Sequence, residues 1–180
     1  DCILADAIFQ RLKSYNIIPN STLDGLVPNA CSSNIRLYKY GVGNAFGKHV
    51  DESCEEVKED GTHCWSKYTV LMYLNGSDDG SNDHNNGCDV SAESSNLRLQ
   101  GGTTAFYTSH AARDPIYEMV PAVGAVLLHA HGHRCLTHEA RPVTSGFKYV
   151  LRTDVLYSTE ARRTPVLNTG TGSKKNRKKK

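Results

Sequence analysis

The sequence predicts a mainly β domain, a β-sandwich or jelly roll, with one helix near its N-terminus. Short runs of β-branched and aromatic residues recur along the chain and are separated by Gly and Pro turns. These runs do not alternate with helical patterns, as the strands of a parallel sheet would. At 180 residues, the chain is long enough to bury the core of one such domain without disulfides.

The first elements are predicted from hydrophobic spacing. Residues 5–15 carry apolar side chains three and four positions apart, which predicts an amphipathic helix whose buried face is Ala5, Ile8, Phe9 and Leu12. Residues 16–34 are rich in Pro, Asn and Ser and predict a loop, with Pro19 and Pro28 as breakers. Residues 35–40 alternate apolar and basic side chains, the period of a half-buried strand.

The second half of the chain predicts further strands around one long loop. Residues 67–74 (KYTVLMYL) predict a buried strand, and shorter strands are predicted at 104–107, 116–120, 125–129 and 147–157. Residues 75–96 are dense in Asp, Asn, Ser and Gly and contain almost nothing to bury. They predict an exposed loop.

The net charge of +2 is unevenly distributed. Residues 174–180 carry six positive charges and no acidic residue, so without them the net charge of +2 becomes −4. We therefore divide the chain into a folded domain at residues 1–160 and a flexible basic tail at 161–180. The tail is interpreted as a solvated or nuclear-localisation segment, with nucleic-acid binding as the alternative.

Compartment is predicted from hydropathy and cysteine usage. No apolar run approaches the length of a membrane span, so we expect no membrane association. The six cysteines show no CxxC spacing, which favours reduced thiols and a cytoplasmic or nuclear location. Cys54 and Cys64 bracket a charged segment and form the pair to test first for a disulfide.

A candidate metal site comes from His49, Asp51 and the distant His138. In a strand, positions 49 and 51 would point to the same face. Two imidazoles and one carboxylate form the facial ligand set of non-haem Fe(II) oxygenases, which leaves coordination positions open. The alternative is that residues 49–51 lie in an exposed loop, because an acidic run follows them.

Lys148 lies ten residues after His138, on a strand that sends Lys148, Arg152 and Asp154 to one face. A lysine facing inward without a partner is energetically costly, unless it binds an anionic ligand. The alternative is that this face of the strand points to solvent.

A competing metal pattern is the alternating run His129, His131 and His133, which could bind Zn²⁺ or Cu²⁺. Gly132 and Cys135 instead indicate a turn leading into the strand of His138. We therefore expect no second metal site from these three histidines.

Four segments resemble, in order, motifs of the prolyl-4-hydroxylase-like 2-oxoglutarate/Fe(II)-dependent oxygenases. They are residues 40–51 (YGVGNAFGKHVD), 68–75 (YTVLMYLN), 101–106 (GGTTAF) and 138–152 (HEARPVTSGFKYVLR). The resemblance implies a double-stranded β-helix, the jelly roll also found in cupins, with iron at its open end. It departs from the family pattern at Thr103, where the family often has an acidic residue.

The resemblance also implies roles for individual residues. His49, Asp51 and His138 would ligate Fe(II), and Lys148 would pair with the C5 carboxylate of 2-oxoglutarate. Tyr40 would hydrogen-bond that carboxylate, and Thr104 and Tyr73 would line the same pocket. Arg152 would hold substrate or cosubstrate at the mouth; a salt bridge at the rim is the alternative.

The implied activity is hydroxylation of a substrate C–H bond with release of succinate and CO₂. Fe(II), 2-oxoglutarate and O₂ are the expected cofactors and cosubstrates, and ascorbate is a further candidate. A protein or peptide, hydroxylated on a side chain as by a prolyl hydroxylase, is the leading substrate. The alternatives are a nucleic-acid demethylase or hydroxylase, for which the basic tail is the support, and a non-catalytic jelly-roll binding module.

Overall fold

A computed structural model of the protein describes residues 1–19, 22–77 and 98–159. Within these ranges the chain is mainly β, with one helix, α1 (Cys2–Ser14), at the N-terminus. The strands are β1 (Val27–Cys31), β2 (Arg36–Tyr40), β3 (Phe46–His49), β4 (Glu55–Val57), β5 (His63–Tyr73), β6 (Gln100–Gly101), β7 (Thr104–Tyr107), β8 (Tyr117–Met119), β9 (Val126–Ala130), β10 (Thr137–Ala140), β11 (Val143–Ser145) and β12 (Lys148–Ser158). The predicted fold class is confirmed.

The strands form two main antiparallel sheets. In the larger sheet the order is β1-β12-β5-β4, with β2 also paired to β12 and β9 paired to β5. The smaller sheet has the order β3-β10-β7-β8, and β11 and β6 form a separate pair. Neighbours in both sheets come from distant parts of the chain, the arrangement of a double-stranded β-helix.

Helix α1 covers one face of the larger sheet. The side chain of Asp1 accepts a hydrogen bond from the amide of Leu4 at 3.0 Å and so caps the first turn. The predicted apolar face, Ala5, Ile8, Phe9 and Leu12, is buried in one cluster with Val70, Val155 and Tyr157. The predicted amphipathic helix is therefore confirmed, and it begins three residues earlier than expected.

The alternation of side chains along β12 separates this core from a cavity on the opposite face of the sheet. Val155 and Tyr157 pack under the helix. Lys148, Val150 and Arg152 line the cavity, because successive side chains of a strand point to opposite faces. The larger sheet thus carries a hydrophobic core on one side and polar groups on the other.

The predicted loop at residues 16–34 was wrong in part, because β1 (Val27–Cys31) lies within it. Pro28 was interpreted as a breaker, but β1 occupies the edge of the larger sheet and its register shifts between Pro28 and Ala30. An edge strand tolerates a residue without an amide proton. Of the predicted loop at 75–96, only residues 75–77 lie within the described ranges, and the basic tail at 161–180 lies outside them.

Two further features concern the described ranges only. The five cysteines found there are free thiols, including Cys54 and Cys64. No helix in these ranges is long and apolar enough to cross a membrane.

Candidate metal centre

His49, Asp51 and His138 come together between the two sheets. His49 ends β3 and is the direct cross-strand partner of His138 in β10, with ring centroids 4.2 Å apart. Asp51 lies two residues beyond the end of β3 and is 8% exposed. One potential ligand atom from each residue lies within 4.8 Å of the other two. Asp51 is therefore buried, and not in the exposed loop that was the alternative.

Both histidines present the same ring nitrogen to Asp51. Nδ1 of His49 lies 2.7 Å from the carbonyl of Gly47, and Nδ1 of His138 lies 3.0 Å from the carbonyl of Leu136. A carbonyl only accepts, so each Nδ1 carries a proton, and in the neutral imidazole Nε2 is then the nitrogen with the free lone pair. The two Nε2 atoms lie 3.7 and 3.9 Å from the Asp51 carboxylate oxygens. A ring nitrogen that donates to a backbone carbonyl while the other faces the site is the usual arrangement of metal-ligating histidines.

Asp51 is held as a carboxylate. Burial alone would raise its pKa, but a hydrogen bond from Thr69 and the positive charge of Arg152 outweigh burial and hold the pKa below its ordinary value. Burial is also the main reason that the pKa of His138 is lowered, which keeps its imidazole neutral. An ionised Asp51 and a neutral His138 are the protonation states in which these two residues bind a divalent cation.

A chain of hydrogen bonds fixes the orientation of the Asp51 carboxylate. Thr69 Oγ1 donates to Asp51 Oδ2 at 2.6 Å, so its single proton is used there. His131 Nε2, 2.7 Å from the same hydroxyl, must therefore donate to it. His131 Nδ1 then accepts from Ser66 Oγ at 3.1 Å, and Ser66 Oγ in turn accepts from the amide of Cys54 at 2.9 Å. Such outer contacts set both the direction and the basicity of a metal ligand.

The three candidate ligands line a cavity of about 620 Å³, and Lys148 lies in the wall of the same cavity. Lys148 is 1% exposed, and its ammonium donates to the carbonyl of Gly102 at 2.7 Å. Within the described ranges no carboxylate lies within salt-bridge distance of this ammonium. Desolvation lowers the pKa of Lys148 from 10.5 to about 8. The alternative that this face of β12 points to solvent does not hold.

Tyr40 and Thr104 also line the cavity, but Tyr73 does not. Tyr40 pairs with Lys148 across β2 and β12, and the Lys148 ammonium lies 4.6 Å from the centre of its ring. Tyr73 is fully buried, and its hydroxyl shares a 2.8 Å hydrogen bond with Thr104 Oγ1. The expectation that Tyr73 lines the pocket is corrected, because its hydroxyl ends on Thr104 and does not reach the open space.

Arg152 reaches the candidate metal ligands and not only the mouth. Its Nη2 lies 3.1 Å from Asp51 Oδ2 and 3.3 Å from Thr69 Oγ1, and its Nε lies 3.7 Å from Asp154. The geometry thus favours the salt-bridge alternative, with a buried carboxylate as the partner.

The three histidines of the run 129–133 separate in the structure. His133 is exposed in the turn Gly132–Arg134, which is the turn that the sequence predicted. His131 belongs to the hydrogen-bond chain behind Asp51. His129 lies beside His138, with ring centroids 4.4 Å apart. These three residues therefore do not share a metal.

Sequence reasoning did not single out Thr69, His131 and Ser66 as neighbours of the site. Thr69 is the cross-strand partner of both His129 in β9 and Asp154 in β12, which places its hydroxyl on the cavity face of β5. A signal was present, since Thr69 is a small polar residue inside the apolar run at 67–74. Its partners could not be read from the sequence, because they come from three separate segments.

No protein-family model and no curated protein sequence matches the chain. Among solved structures, the chain is similar to viral collagen prolyl hydroxylase vCPH from Paramecium bursaria Chlorella virus-1, both as its 2OG complex and in a truncated form. Both matches have 15% sequence identity and a TM-score of 0.46 and cover 83% of this chain. The chain spans 66% and 64% of those two chains, slightly less than two thirds of their length.

Proposed function

We propose that the protein is a 2-oxoglutarate- and Fe(II)-dependent dioxygenase that hydroxylates a C–H bond of a protein side chain, in the manner of a prolyl hydroxylase. The observation that carries the proposal is the pairing of two features in one cavity. The first is a group of two histidines and one carboxylate, and the second is Lys148, a buried cation without an anionic partner among the described residues. A metal-chelating dicarboxylate such as 2-oxoglutarate would satisfy both.

The donor group fits Fe(II). His49 and His138 would each bind through Nε2, and Asp51 would bind through its carboxylate, which leaves positions open for cosubstrate and O₂. When bound, the iron and 2-oxoglutarate supply the oxidising chemistry, with succinate and CO₂ as the products of the cosubstrate. The protein would hold the iron ligand Asp51 in place through its contacts with Thr69 and Arg152.

Lys148 would bind the far carboxylate of 2-oxoglutarate. A buried ammonium has lost its hydration, so an anion that reaches it gains a strong charge-assisted hydrogen bond. Tyr40 and Thr104 line the same cavity as Lys148 and would orient that carboxylate with their hydroxyl groups. The hydrogen bond to the carbonyl of Gly102 would hold the ammonium in place before the cosubstrate arrives.

Part of the cavity wall beside the candidate ligands is apolar. Leu71 and Val150 contribute apolar side chains to its wall. Phe106 stacks on His138 with ring centroids 5.6 Å apart. Apolar surfaces around a metal site strengthen the electrostatic interactions inside it.

A peptide substrate is supported by the likeness of the four sequence motifs to those of prolyl-4-hydroxylase-like enzymes. The nucleic-acid alternative depends on the basic tail, which lies outside the described ranges. Deletion of residues 173–180 separates the two. Unchanged turnover with a peptide supports the first, whereas turnover of an oligonucleotide that is lost on deletion supports the second.

The proposal is tested by succinate formation from 2-oxoglutarate in the presence of Fe(II), O₂ and candidate proline-containing peptides. We expect succinate from the wild type and none above background from His49→Ala. His63→Ala is the matched control, because His63 is an exposed histidine whose contact is with Glu55. No succinate from the wild type, or equal amounts from His49→Ala, would contradict the proposal.

A further inference from the structure

His129 differs from the other buried histidines of the site. Both ring nitrogens of His131 are hydrogen-bonded, as is Nδ1 of His138. His129 is 9% exposed, and its Nδ1 is fully buried with no hydrogen-bond partner in the described part of the chain. Its Nε2 lies 3.8 Å from Asp51 Oδ2, beyond hydrogen-bond distance. A buried ring nitrogen without a partner is costly, so Nδ1 of His129 could bind a ligand that the described part of the chain does not supply.

Cys135 and His138 stand next to this ring. One potential ligand atom each from His129, Cys135 and His138 lies within 4.8 Å of the other two. Cys135 follows the turn Gly132–Arg134, and its sulfur accepts the amide hydrogen of Asp51 at 3.2 Å. The same sulfur lies 3.8 Å from Nδ1 of His138. The turn between β9 and β10 thus holds a thiol close to two neighbouring imidazoles.

The two donor groups have different metal preferences. Two imidazoles and a carboxylate suit Fe(II), whereas a thiolate with two imidazoles is a softer set that favours Zn²⁺. Three protein donors would leave a fourth tetrahedral position on zinc to water. His138 belongs to both groups, and its Nδ1 donates its proton to the carbonyl of Leu136. Nε2 is then the nitrogen of His138 that has a free lone pair, so the two metals compete for it.

We propose that His129, Cys135 and His138 form a second metal site that binds Zn²⁺ and competes with the metal held by His49, Asp51 and His138. Zinc at this site removes His138 from the first group and leaves only two ligands there. Zinc is then an inhibitor whose effect depends on Cys135, a residue that the proposed hydroxylation does not use. The inference goes beyond that proposed function.

The donor set is tested with Co²⁺ as a spectroscopic probe for zinc, because a cobalt–thiolate bond produces an intense near-ultraviolet charge-transfer band. The full chain is titrated with Co²⁺ without O₂ and with a reductant that contains no thiol. We expect the band in the wild type and in His49→Ala, which lacks a ligand of the first group only. We expect no band in Cys135→Ser. Cys54→Ser is the matched control and should keep the band, because Cys54 is an exposed free thiol outside the group.

Zinc binding by equilibrium dialysis provides a second measurement. Cys135→Ser and His129→Phe should weaken zinc binding by more than about tenfold, since even the loss of outer contacts has effects of that size at metal sites. Thermal unfolding of both variants checks that they fold. No charge-transfer band in the wild type, an undiminished band in Cys135→Ser, or unchanged zinc affinity in folded variants would overturn the proposal.

The outcomes also separate this site from the proposed function. Succinate formation with Fe(II) but no cobalt–thiolate band rejects only the zinc site. A thiolate band without succinate formation rejects only the dioxygenase. When both are present, added zinc should inhibit the wild type at lower concentrations than it inhibits Cys135→Ser.

Discussion

Replacing Lys148 with Met should make the protein more stable in the absence of ligand while removing its response to 2-oxoglutarate. Lys148 is 1% exposed, and its ammonium donates a hydrogen bond to the carbonyl of Gly102 at 2.7 Å. Methionine has a similar length and no charge, so it can fill the same space. The substitution therefore removes the buried charge and leaves the packing of β12 largely unchanged.

The magnitude follows from the pKa of Lys148, which desolvation lowers from 10.5 to about 8. The pKa falls by about 2.5, and at about 1.4 kcal/mol for each unit of pKa the charged form is disfavoured by roughly 3.5 kcal/mol in the fold. Loss of the hydrogen bond to Gly102 offsets about 1–2 kcal/mol of the gain. We expect Lys148→Met to raise the free energy of unfolding at pH 7 by about 2 kcal/mol.

The pH dependence has a definite sign. Because the pKa of Lys148 is lower in the folded state, the unfolded chain binds more protons between pH 8 and pH 10.5. The contribution of Lys148 to stability therefore increases as the pH rises through this window, and Lys148→Met lacks this increase.

Urea unfolding of the metal-loaded protein without O₂, with and without 2-oxoglutarate, measures these effects. A ligand that binds only the folded state should stabilise the wild type and leave Lys148→Met unchanged. Lys13→Met is the control, because Lys13 is exposed on α1. A less stable Lys148→Met protein, or equal stabilisation of both proteins by 2-oxoglutarate, would refute the reasoning.

Three further substitutions test the site and the core. Thr69→Val removes the hydroxyl bound to Asp51 and should lower metal affinity by about 10–100-fold in a Mn²⁺-binding measurement, with Thr69→Ser close to wild type. Gly102→Ala adds a Cβ at φ +68°, 3.3 Å from Cδ of Lys148, and should cost about 1–3 kcal/mol of stability and weaken 2-oxoglutarate binding. Gly43→Ala is its control, because Gly43 also has a positive φ but open space around it. Phe9→Ala removes a buried ring of α1 and should cost about 3–5 kcal/mol in urea unfolding, with succinate formation per folded molecule unchanged.

Each of these has an opposite outcome that can be observed. Equal metal affinity in Thr69→Val and the wild type would mean that the hydroxyl does not orient Asp51. Equal 2-oxoglutarate binding by Gly102→Ala and Gly43→Ala would show that the approach of Gly102 to Lys148 is unimportant. A fall in succinate formation in folded Phe9→Ala protein would show that α1 influences the cavity.

Local patterns were sufficient where burial follows the period of the element. The helix face at Phe9 and Leu12 and the strands around Val70 and Val155 were predicted because one side of each element is apolar. β1 was missed because Pro28 reads as a breaker, whereas only the strand order shows that it lies at an edge. The prediction of β1 as a strand needed the knowledge that it pairs with β12.

The sequence by itself predicted the mainly β fold and the candidate metal ligands His49, Asp51 and His138. It also predicted Lys148 as the cation that belongs to the same site. The fold class follows from the pattern of short strands and turns. The ligand set and Lys148 were predicted from side-chain chemistry together with the resemblance of four segments to motifs of the prolyl-4-hydroxylase-like oxygenases. Only the tertiary structure decided that Lys148 is buried, that Thr69 and His131 hold Asp51, and that His129 joins Cys135 beside His138. The physical reason is that these contacts form between strands far apart in the chain, where hydrogen-bond partners and desolvation depend on register and packing and not on local sequence.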